Sequence, residues 1–290
     1  MTIASVDNAV RGEGLLADFS LEMTAKDIDA LRHAAPVIPQ GTHVNVTFLG
    51  NEDFAMRRKA AAAVKAAGFD PVAHISARRI ASERELDDFM AALREDSTHE
   101  SVFLIAGDPS EAQGPFDSAI DLITSGMAEH YGVKRIGIGG YPEGHPQIDE
   151  ETLWSALEQK AAAISSLDVQ GEIITQFGFD VDAVLDWIVQ VRQRGIDLPI
   201  RVGVAGPAGV KRLISYSRRF GVGTSAGIAK KYGFSITNLL GTAGPDRFIS
   251  ELITEYDQTL HGRMGVHFYT FGGMRATAEW VDDFRKDTGQ

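Results

Sequence analysis

Residues 135–147 read RIGIGGYPEGHPQ, and this stretch displays the unit from which the fold is predicted. An apolar run, residues 135–140, is followed by a loop in which Tyr141 and His145 each precede a proline. A run that is apolar nearly throughout is typical of a strand buried on both faces of a parallel sheet. Helix-like sequence follows the loop. The stretch therefore predicts one strand–loop–helix unit, whose stiff loop presents its tyrosine and histidine.

The same unit recurs along the chain. Helical periodicity is clearest in residues 51–68 and 182–195, and the second of these segments ends in Gly195, a residue type suited to the position after a helix. Eight candidate strands alternate with such segments: residues 18–23, 43–49, 71–76, 101–107, 135–140, 172–179, 200–206 and 265–271. This alternation predicts the α/β class and a (β/α)8 TIM barrel, with residues 1–290 forming a single catalytic domain. An open doubly wound sheet is the alternative, but residues 24–27, TAKD, lack its Gly-rich turn.

Two parts of the chain do not follow the pattern. Residues 1–14 are predicted to be a frayed leader. Residues 207–264 need extra helices before the last strand, where barrels often carry an additional helix close to a phosphate site. The Gly-rich segment GVGTSAG at residues 221–227 could bind phosphate, although turns between helices are the favoured interpretation.

Composition excludes several classes of protein. The net charge of -12 argues against sequence-independent binding to nucleic acid or to an anionic membrane surface. The absence of cysteine excludes disulfides, thiolate nucleophiles and Cys-ligated metals. No signal peptide and no apolar stretch long enough to span a bilayer is visible. A cytoplasmic protein is expected.

Polar side chains are concentrated where the predicted strands end. In a barrel of this kind the active site lies at the carboxyl ends of the strands. Seven of the eight ends carry a polar or ionisable residue: Glu22, Thr47, His74, Asp108, Tyr141 with His145, Gln176 and Tyr269. This set suits an uncharged, heteroatom-rich ligand, or two stacked ones. No metal site is predicted, and hydrogen-bonding or stacking roles are favoured for His74 and His145.

Individual residues allow more than one interpretation. Glu22 lies among apolar residues and could act as a general acid, or it could form an ordinary ion pair with Lys26. Asp108 could stabilise a cation or bind a cofactor, or it could simply form the Gly-Asp-Pro turn. Gln176 ends a strand predicted to be buried and needs partners from a ligand or a loop.

No catalytic nucleophile is recognisable. The sequence lacks cysteine, a Gly-x-Ser-x-Gly elbow, a Gly-x-x-x-x-Gly-Lys phosphate loop and a His-Glu-x-x-His motif. Acids, amides and aromatic residues without a nucleophile indicate proton and hydride chemistry on a bound organic cofactor.

Several strand ends resemble signature segments of the bacterial methylenetetrahydrofolate reductases. The segments are YPEGHP (141–146), IITQFGFD (173–180) and VHFYTF (266–271), together with SLEM around Glu22, NVTF around Thr47, AHIS around His74 and AGD around Asp108. They occur in the family's order and cover residues 18–271. The resemblance implies the catalytic barrel of that family, without the regulatory domain of the eukaryotic enzymes.

The resemblance implies reduction of 5,10-methylenetetrahydrofolate to 5-methyltetrahydrofolate by NADH or NADPH through bound FAD, in one-carbon and methionine metabolism. Glu22 matches the family's general acid, and Asp108 matches the aspartate that favours the cationic intermediate. Folate-binding positions are matched by Gln176, Tyr216 and Tyr269. Flavin-contacting positions are matched by Thr47, His74, Gly107, Asp108, Tyr141, His145 and Lys160.

The chain also departs from the family's pattern. Ala106 stands where the family often has an arginine, residues 48–54 replace a small polar loop, and Gly273 stands where an arginine is expected. These departures touch the expected flavin site, so the alternative of direct hydride transfer from NADH without flavin stays open. A pterin-binding barrel methyltransferase or lyase and a non-catalytic folate-binding protein are further alternatives. The choice between NADH and NADPH is open, and a homo-oligomer is compatible with the sequence.

Overall fold

The computed structural model describes residues 14–220 and 242–288. The predicted leader, apart from Gly14, and the Gly-rich segment at residues 221–227 lie outside the described residues. None of the helices in the described part of the chain has the length and the apolar character needed to cross a bilayer.

Eight strands form a closed barrel in the spatial order β1-β10-β7-β6-β5-β4-β3-β2, which confirms the TIM-barrel prediction. The barrel strands are β1 (Ser20–Met23), β2 (His43–Val46), β3 (Asp70–Ser76), β4 (Ser101–Ile105), β5 (Arg135–Gly140), β6 (Gln170–Phe177), β7 (Ile200–Ala205) and β10 (Met264–Tyr269). Two further strands, β8 (Ala208–Gly209) and β9 (Thr242–Ala243), pair antiparallel outside the barrel. This ribbon was not predicted, because two-residue strands leave no periodic pattern in a sequence.

Helices follow the barrel strands in the alternation that the sequence predicts. They are α1 (Ile28–Ala34), α2 (Phe54–Ala66), α3 (Glu83–Glu95), α4 (Ala119–Thr124), α5 (Met127–Tyr131), α6 (Glu150–Ser165), α7 (Val181–Gln193), α8 (Val210–Phe220), α9 (Asp246–Glu255), α10 (Gln258–His261) and α11 (Met274–Thr288). Within residues 207–264, the described segments contain α8, α9 and α10.

Local sequence explains where the clearest helices begin and end. The side chain of Asp53 accepts a hydrogen bond from the Met56 amide and caps the start of α2. Ser82 caps α3 in the same way, through the Glu85 amide. Gly195 follows α7 with a φ of +75°, a backbone conformation that side-chain-bearing residues rarely adopt, as the sequence predicted for this glycine.

The chain divides into two compact units, and neither is a continuous segment. The first unit comprises residues 21–139 and 154–173, and the second comprises the rest of the chain. In the first unit the register pairs are parallel from β1 through β5. In the second unit β10 pairs with β7 in parallel, from Met264 opposite Ile200 to Tyr269 opposite Ala205. The single-domain boundaries stay a prediction.

Five predicted strands are longer than the observed ones, and for β2 the local reason is clear. Residues 43–49 were expected to be extended, but β2 ends at Val46. The amide of Leu49 instead donates to the carboxylate of Glu52, so the backbone leaves the sheet and forms a loop. Strand β3 fits its prediction closely, with residues 71–76 buried throughout as expected for a strand covered on both faces.

Candidate active site

Each unit presents its own set of strand-end residues. Parallel strands bring their carboxyl ends to one edge, which is where barrel active sites lie. The first unit carries Glu22, Thr47, His74, Gly107, Asp108 and Lys160. The second unit carries Tyr141, His145, Gln176, Tyr216 and Tyr269.

Glu22 belongs to β1 and is half-buried between the buried residues Leu21 and Met23. Its register partner in β2 is Asn45. Paired residues of adjacent strands project from the same face of a sheet, so the two side chains leave the same side of the first unit. Glu22 is therefore a half-buried carboxylate with apolar neighbours along its strand, and its role as an acid stays a prediction.

His74 is enclosed by neighbouring side chains. The side chain is buried, and its Nε2 lies 3.3 Å from the Oδ1 of Asn45. The ring centroid of Phe103 lies 4.7 Å from that of the imidazole. Protein atoms thus occupy one edge of the ring and contact it from β4, which limits the surface that His74 offers to a ligand.

Thr47 follows β2 and has a buried hydroxyl. Its Oγ1 has no hydrogen-bond partner among the described residues, whereas its amide donates to the carbonyl of Met23 at 2.9 Å. A buried hydroxyl without a partner costs free energy. A heteroatom of a bound ligand would satisfy it, in keeping with the predicted binding role of Thr47.

Glu52 shapes the same region and was not singled out from the sequence. Its buried carboxylate accepts a hydrogen bond from the Ala25 amide at 3.0 Å and from the Leu49 amide at 3.1 Å. The residue thus ties together the loops that follow β1 and β2. The sequence around Glu52, GNED, does not indicate this role, because both hydrogen-bond donors are backbone amides and Ala25 is distant in the chain.

Gly107 and Asp108 lie on the loop after β4. Gly107 has a φ of +101°, and a Cβ built on it would lie 1.8 Å from the Oγ of Ser76. Both the backbone conformation and the close approach of β3 therefore require glycine. The Asp108 side chain, next along the chain, is 73% exposed and projects from a tightly held backbone.

Lys160 lies on α6 and is half-buried. Burial lowers the pKa of its ammonium group to about 8. Among the described residues, no carboxylate forms an ion pair with it. A poorly hydrated ammonium without an anionic partner suits an anionic ligand such as a phosphate.

In the second unit, Tyr141 and His145 form the aromatic part of the loop after β5. Their ring centroids are 5.4 Å apart and their planes are nearly perpendicular, at 84°. Burial raises the pKa of the Tyr141 hydroxyl and lowers that of the His145 imidazole. The Nδ1 of His145 accepts a hydrogen bond from the Gln147 amide at 3.2 Å, so the lone pair on that nitrogen is already used. Both rings thus favour their neutral forms at pH 7.

Glu143 of the same loop forms hydrogen bonds with another segment of the chain. Its Oε1 accepts hydrogen bonds from the amides of Phe179 at 2.6 Å and Asp180 at 3.2 Å. A Cβ built on Gly178 would lie 2.8 Å from this oxygen. Glu143 therefore fastens the loop after β5 to the start of α7. Glu143 was not predicted from the sequence, because an acidic residue in YPEGHP has no feature that distinguishes it from an ordinary loop residue.

Gln176 and Tyr269 use part of their hydrogen-bonding capacity within the second unit. The Oε1 of Gln176 accepts from the Phe177 amide at 3.1 Å. The hydroxyl of Tyr269 donates to the carbonyl of Thr175 at 3.1 Å. Tyr269 thus has its hydroxyl directed at β6, which leaves its ring as the part available for packing against a ligand.

Tyr216 stacks on Phe271 with ring centroids 4.2 Å apart and planes 9° from parallel. Phe271 in turn meets the edge of Phe177, with centroids 5.1 Å apart. Phe177 and Phe271 were not among the predicted site residues, although FGF and YTF are visible in the sequence. Stacked aromatic faces of this kind suit a planar heterocycle such as a pterin or a nicotinamide.

The two units differ in the side chains that they offer to a ligand. Among residues 14–220 and 242–288, no three His, Asp or Glu side chains gather as a metal-binding cluster. The first unit offers a half-buried acid, an unsatisfied hydroxyl and a half-buried ammonium. The second offers stacked aromatic rings.

Comparison with known protein families gives a match over nearly the whole chain. The family model described as methylenetetrahydrofolate reductase matches residues 22–283. The matched range contains every predicted site residue, from Glu22 to Tyr269.

Individual relatives match over shorter segments. Methylenetetrahydrofolate reductase 2 of Saccharomyces cerevisiae is 34% identical over 116 residues, which are 36% of this chain and 18% of that protein. A probable methylenetetrahydrofolate reductase (NADH) of Oryza sativa subsp. japonica is 27% identical over 143 residues, which are 45% of this chain and 24% of that protein. The chain thus spans less than a quarter of the length of either of these curated relatives.

Similarity to solved structures is weaker. Dihydropteroate synthase from Thermus thermophilus superposes with a TM-score of 0.48 and 14% sequence identity, covering 93% of this chain and 95% of that chain. The same enzyme in complex with 6HMPPP gives a TM-score of 0.45. A likeness at this level supports no conclusion about function.

Proposed function

Because the chain belongs to the methylenetetrahydrofolate reductase family, we propose that it reduces 5,10-methylenetetrahydrofolate to 5-methyltetrahydrofolate with a reduced pyridine nucleotide. The observation that carries this proposal is the family match over residues 22–283, which begins at the proposed acid and includes all the proposed binding residues. The names of relatives specify NADH, which makes NADH the first co-substrate to test.

The proposed chemistry begins with a proton transfer from Glu22. Its carboxyl group protonates N10 of the folate as the bond between N10 and the methylene carbon breaks, which leaves a 5-iminium cation. A hydride, supplied ultimately by the nicotinamide, then adds to the methylene carbon. Methylenetetrahydrofolate, NADH and one proton thus give methyltetrahydrofolate and NAD⁺. The position of Glu22 in β1, at the start of the family match, supports this role.

The remaining substrate residues act by binding and by electrostatics. Asp108 stabilises the iminium cation with its negative charge. Gln176 donates a hydrogen bond to the pterin from its amide nitrogen, since its oxygen accepts from the Phe177 amide. Tyr216 and Tyr269 provide aromatic faces for the folate or the nicotinamide.

The first unit contains residues that fit FAD as an anionic, heteroatom-rich cofactor. The unsatisfied hydroxyl of Thr47 fits a polar atom, and the ammonium of Lys160 fits a phosphate. Gly107 allows close approach of the backbone. In the second unit, Tyr141 and His145 offer neutral rings. When bound, FAD would accept a hydride from the nicotinamide and pass it to the folate.

A second candidate keeps the reaction but omits the flavin. The enclosed position of His74 favours it, since Asn45 and Phe103 already contact this ring, which the resemblance assigned to the flavin. Ala106, in place of the family's arginine, removes a further cation from the loop. In this candidate the hydride passes directly from NADH to the folate, and Thr47 and Lys160 bind the pyridine nucleotide.

One experiment tests the reaction and separates the two candidates. The purified protein is incubated with FAD, gel-filtered, and examined by visible absorption and by NADH oxidation with methylenetetrahydrofolate. Folate-dependent oxidation with a stoichiometric flavin band supports the flavin route. The same oxidation without a band supports direct transfer. A lack of folate-dependent oxidation by either NADH or NADPH, in the presence of FAD, would overturn the reductase proposal in favour of a pterin-binding transferase, a lyase or a non-catalytic binding protein.

We further propose that the product serves one-carbon metabolism leading to methionine, and that the protein acts in the cytoplasm. Both proposals rest on membership of the methylenetetrahydrofolate reductase family. Localisation of a tagged protein by cell fractionation tests the second.

A further inference from the structure

A short 3-10 turn after β3, Ala77–Arg79, holds the loop that carries Asp108. The Arg78 amide donates to the carbonyl of Ala106 at 2.9 Å, and the Gln113 amide donates to the carbonyl of Arg78 at 2.9 Å. The Arg78 side chain adds a bond from Nη1 to the carbonyl of Pro109 at 3.1 Å. Arg78 therefore fixes the backbone of the Asp108 loop, and its contacts lie on both sides of the aspartate in sequence.

The next residue, Arg79, reaches the carboxylate itself. Its Nη2 lies 3.6 Å from the Oδ2 of Asp108. The two partners differ sharply in exposure, since the Arg79 side chain is 18% exposed and the Asp108 side chain is 73% exposed. The arginine is thus the confined member of the pair and the aspartate is the member with freedom to move.

Residues of the loop after β2 confine Arg79. A Cβ built on Gly50 would lie 2.7 Å from the Nη2 of Arg79 and 2.9 Å from its Nη1, so the guanidinium rests directly on the glycine backbone. The Cζ of Arg79 also lies 5.6 Å from the centroid of the Phe48 ring. A second guanidinium packs on the Phe48 ring, because the Cζ of the buried Arg57 lies 3.7 Å from the ring centroid.

Two segments that depart from the family pattern therefore meet in the first unit. Phe48 and Gly50 belong to the loop that replaces a small polar loop, and Ala106 replaces an arginine. Arg79 contacts the first segment and pairs with the aspartate of the second. Arg79 thus supplies a positive charge next to Asp108 from the turn after β3. The two residues before the aspartate, Ala106 and Gly107, carry no charge.

We propose that Arg79 is the positioning residue that orients the Asp108 carboxylate for the reduction. The inference rests on the proposed function, in which Asp108 stabilises the iminium cation. An exposed carboxylate samples several rotamers, and a fixed guanidinium restricts them. Because an exposed ion pair is screened by water, we expect a moderate effect on turnover, about tenfold, and little effect on substrate binding.

The test compares steady-state kinetics of the wild-type protein with Arg79→Met, Arg79→Lys, Asp108→Asn and the double variant Arg79→Met/Asp108→Asn. Arg79→Met is expected to lower kcat about tenfold with KM for NADH nearly unchanged, and Arg79→Lys to restore part of the loss. In the Asp108→Asn background, Arg79→Met should cause no further loss. Fully additive losses would show that Arg79 acts independently of Asp108 and would overturn the inference.

The chain provides a matched control in Arg84. Its Nε lies 3.6 Å from the Oδ2 of Asp88, an aspartate that is also 73% exposed, on α3. Arg84→Met removes a pair with the same N–O distance and an equally exposed aspartate, away from the strand ends, and should leave kcat unchanged. An equal effect of Arg79→Met and Arg84→Met would contradict a positioning role.

A further variant displaces Arg79 without altering any charge. Gly50→Ala places a methyl group where the guanidinium now lies, which should displace the guanidinium from Asp108. Gly50→Ala alone should lower kcat, as Arg79→Met does. In the Arg79→Met background, Gly50→Ala should cause no further loss of kcat. A wild-type protein without turnover would refute the proposed function, and this inference with it. Wild-type turnover that Arg79→Met does not alter would refute this inference alone.

Discussion

Glu22 is the residue on which the proposed chemistry depends most directly. A carboxyl group that delivers a proton to N10 loses that ability when it is replaced by an amide of the same shape. Glu22→Gln is therefore expected to reduce kcat at least ~100-fold, the usual scale for loss of a general acid. The measurement is NADH oxidation with methylenetetrahydrofolate.

Two comparisons make the Glu22 result interpretable. Glu129→Gln, at an exposed position of α5, should keep wild-type turnover. NADH binding by Glu22→Gln, followed by fluorescence, should also stay close to that of the wild type. Near-normal turnover of Glu22→Gln would rule out its role as the acid.

Lys160 gives a prediction about stability and pH. Burial lowers its pKa from 10.5 to about 8, so between these values the folded protein binds fewer protons than the unfolded chain. The burial penalty is complete below pH 8 and is relieved as the pH rises towards 10.5. Lys160→Met should therefore raise the free energy of unfolding at pH 7 by about 1–2 kcal/mol, with the gain disappearing near pH 10.5.

Urea unfolding at pH 7 and pH 10 checks this prediction. Lys59→Met, on the exposed face of α2, serves as the control and should change stability little at either pH. If Lys160 also binds a phosphate of the cofactor or of NADH, then Lys160→Met should weaken nucleotide binding while it stabilises the apoprotein. A destabilised Lys160→Met at pH 7 would show that the ammonium has a compensating partner.

At the scale of elements, the loop after β5 connects binding residues to the framework. Glu143 accepts two amide hydrogen bonds at the start of α7, and a charged acceptor strengthens such bonds. Removing it leaves the Phe179 and Asp180 amides without this acceptor. We expect Glu143→Ala to lower the free energy of unfolding by about 2 kcal/mol, and Glu143→Gln to lower it by less.

Chemical denaturation of these variants, beside Glu151→Ala at an exposed position of α6, provides the test. Glu151→Ala should cost no more than about 0.5 kcal/mol. If Glu143→Ala behaved like Glu151→Ala, the loop would be held by its prolines alone. A selective rise in KM for the folate, without loss of stability, would instead assign Glu143 to the substrate.

At the scale of the whole molecule, charge determines the kind of partner. The chain has 40 acidic and 28 basic residues and a net charge of -12. We predict that the protein passes unretained through immobilised heparin at physiological salt, whereas an anion exchanger retains it. Retention on heparin would reveal a basic surface that the overall charge conceals, and would reopen the question of a polyanionic partner.

The sequence by itself determined the barrel and the order of its strand ends. A strand is a run of apolar residues adjacent in the sequence, and a helix shows a periodic pattern within one segment. The strand RIGIGG and the helix in residues 182–195 could therefore be predicted without knowing which residues they contact. The positive φ of Gly195 was predictable for the same reason, because a helix end is a local event. Residues matched to a family by short motifs, such as Glu22, depend on the same local information.

Only the tertiary structure decided what each side chain meets. The bonds from Ala25 to Glu52 and from Phe179 to Glu143, and the ion pair of Arg79 with Asp108, join residues that are distant in the chain. The burial of His74 against Phe103 is of the same kind, because alternation along a strand gives the face but not the neighbour that covers it. Such contacts arise when strands and loops pack together, and no local pattern encodes them.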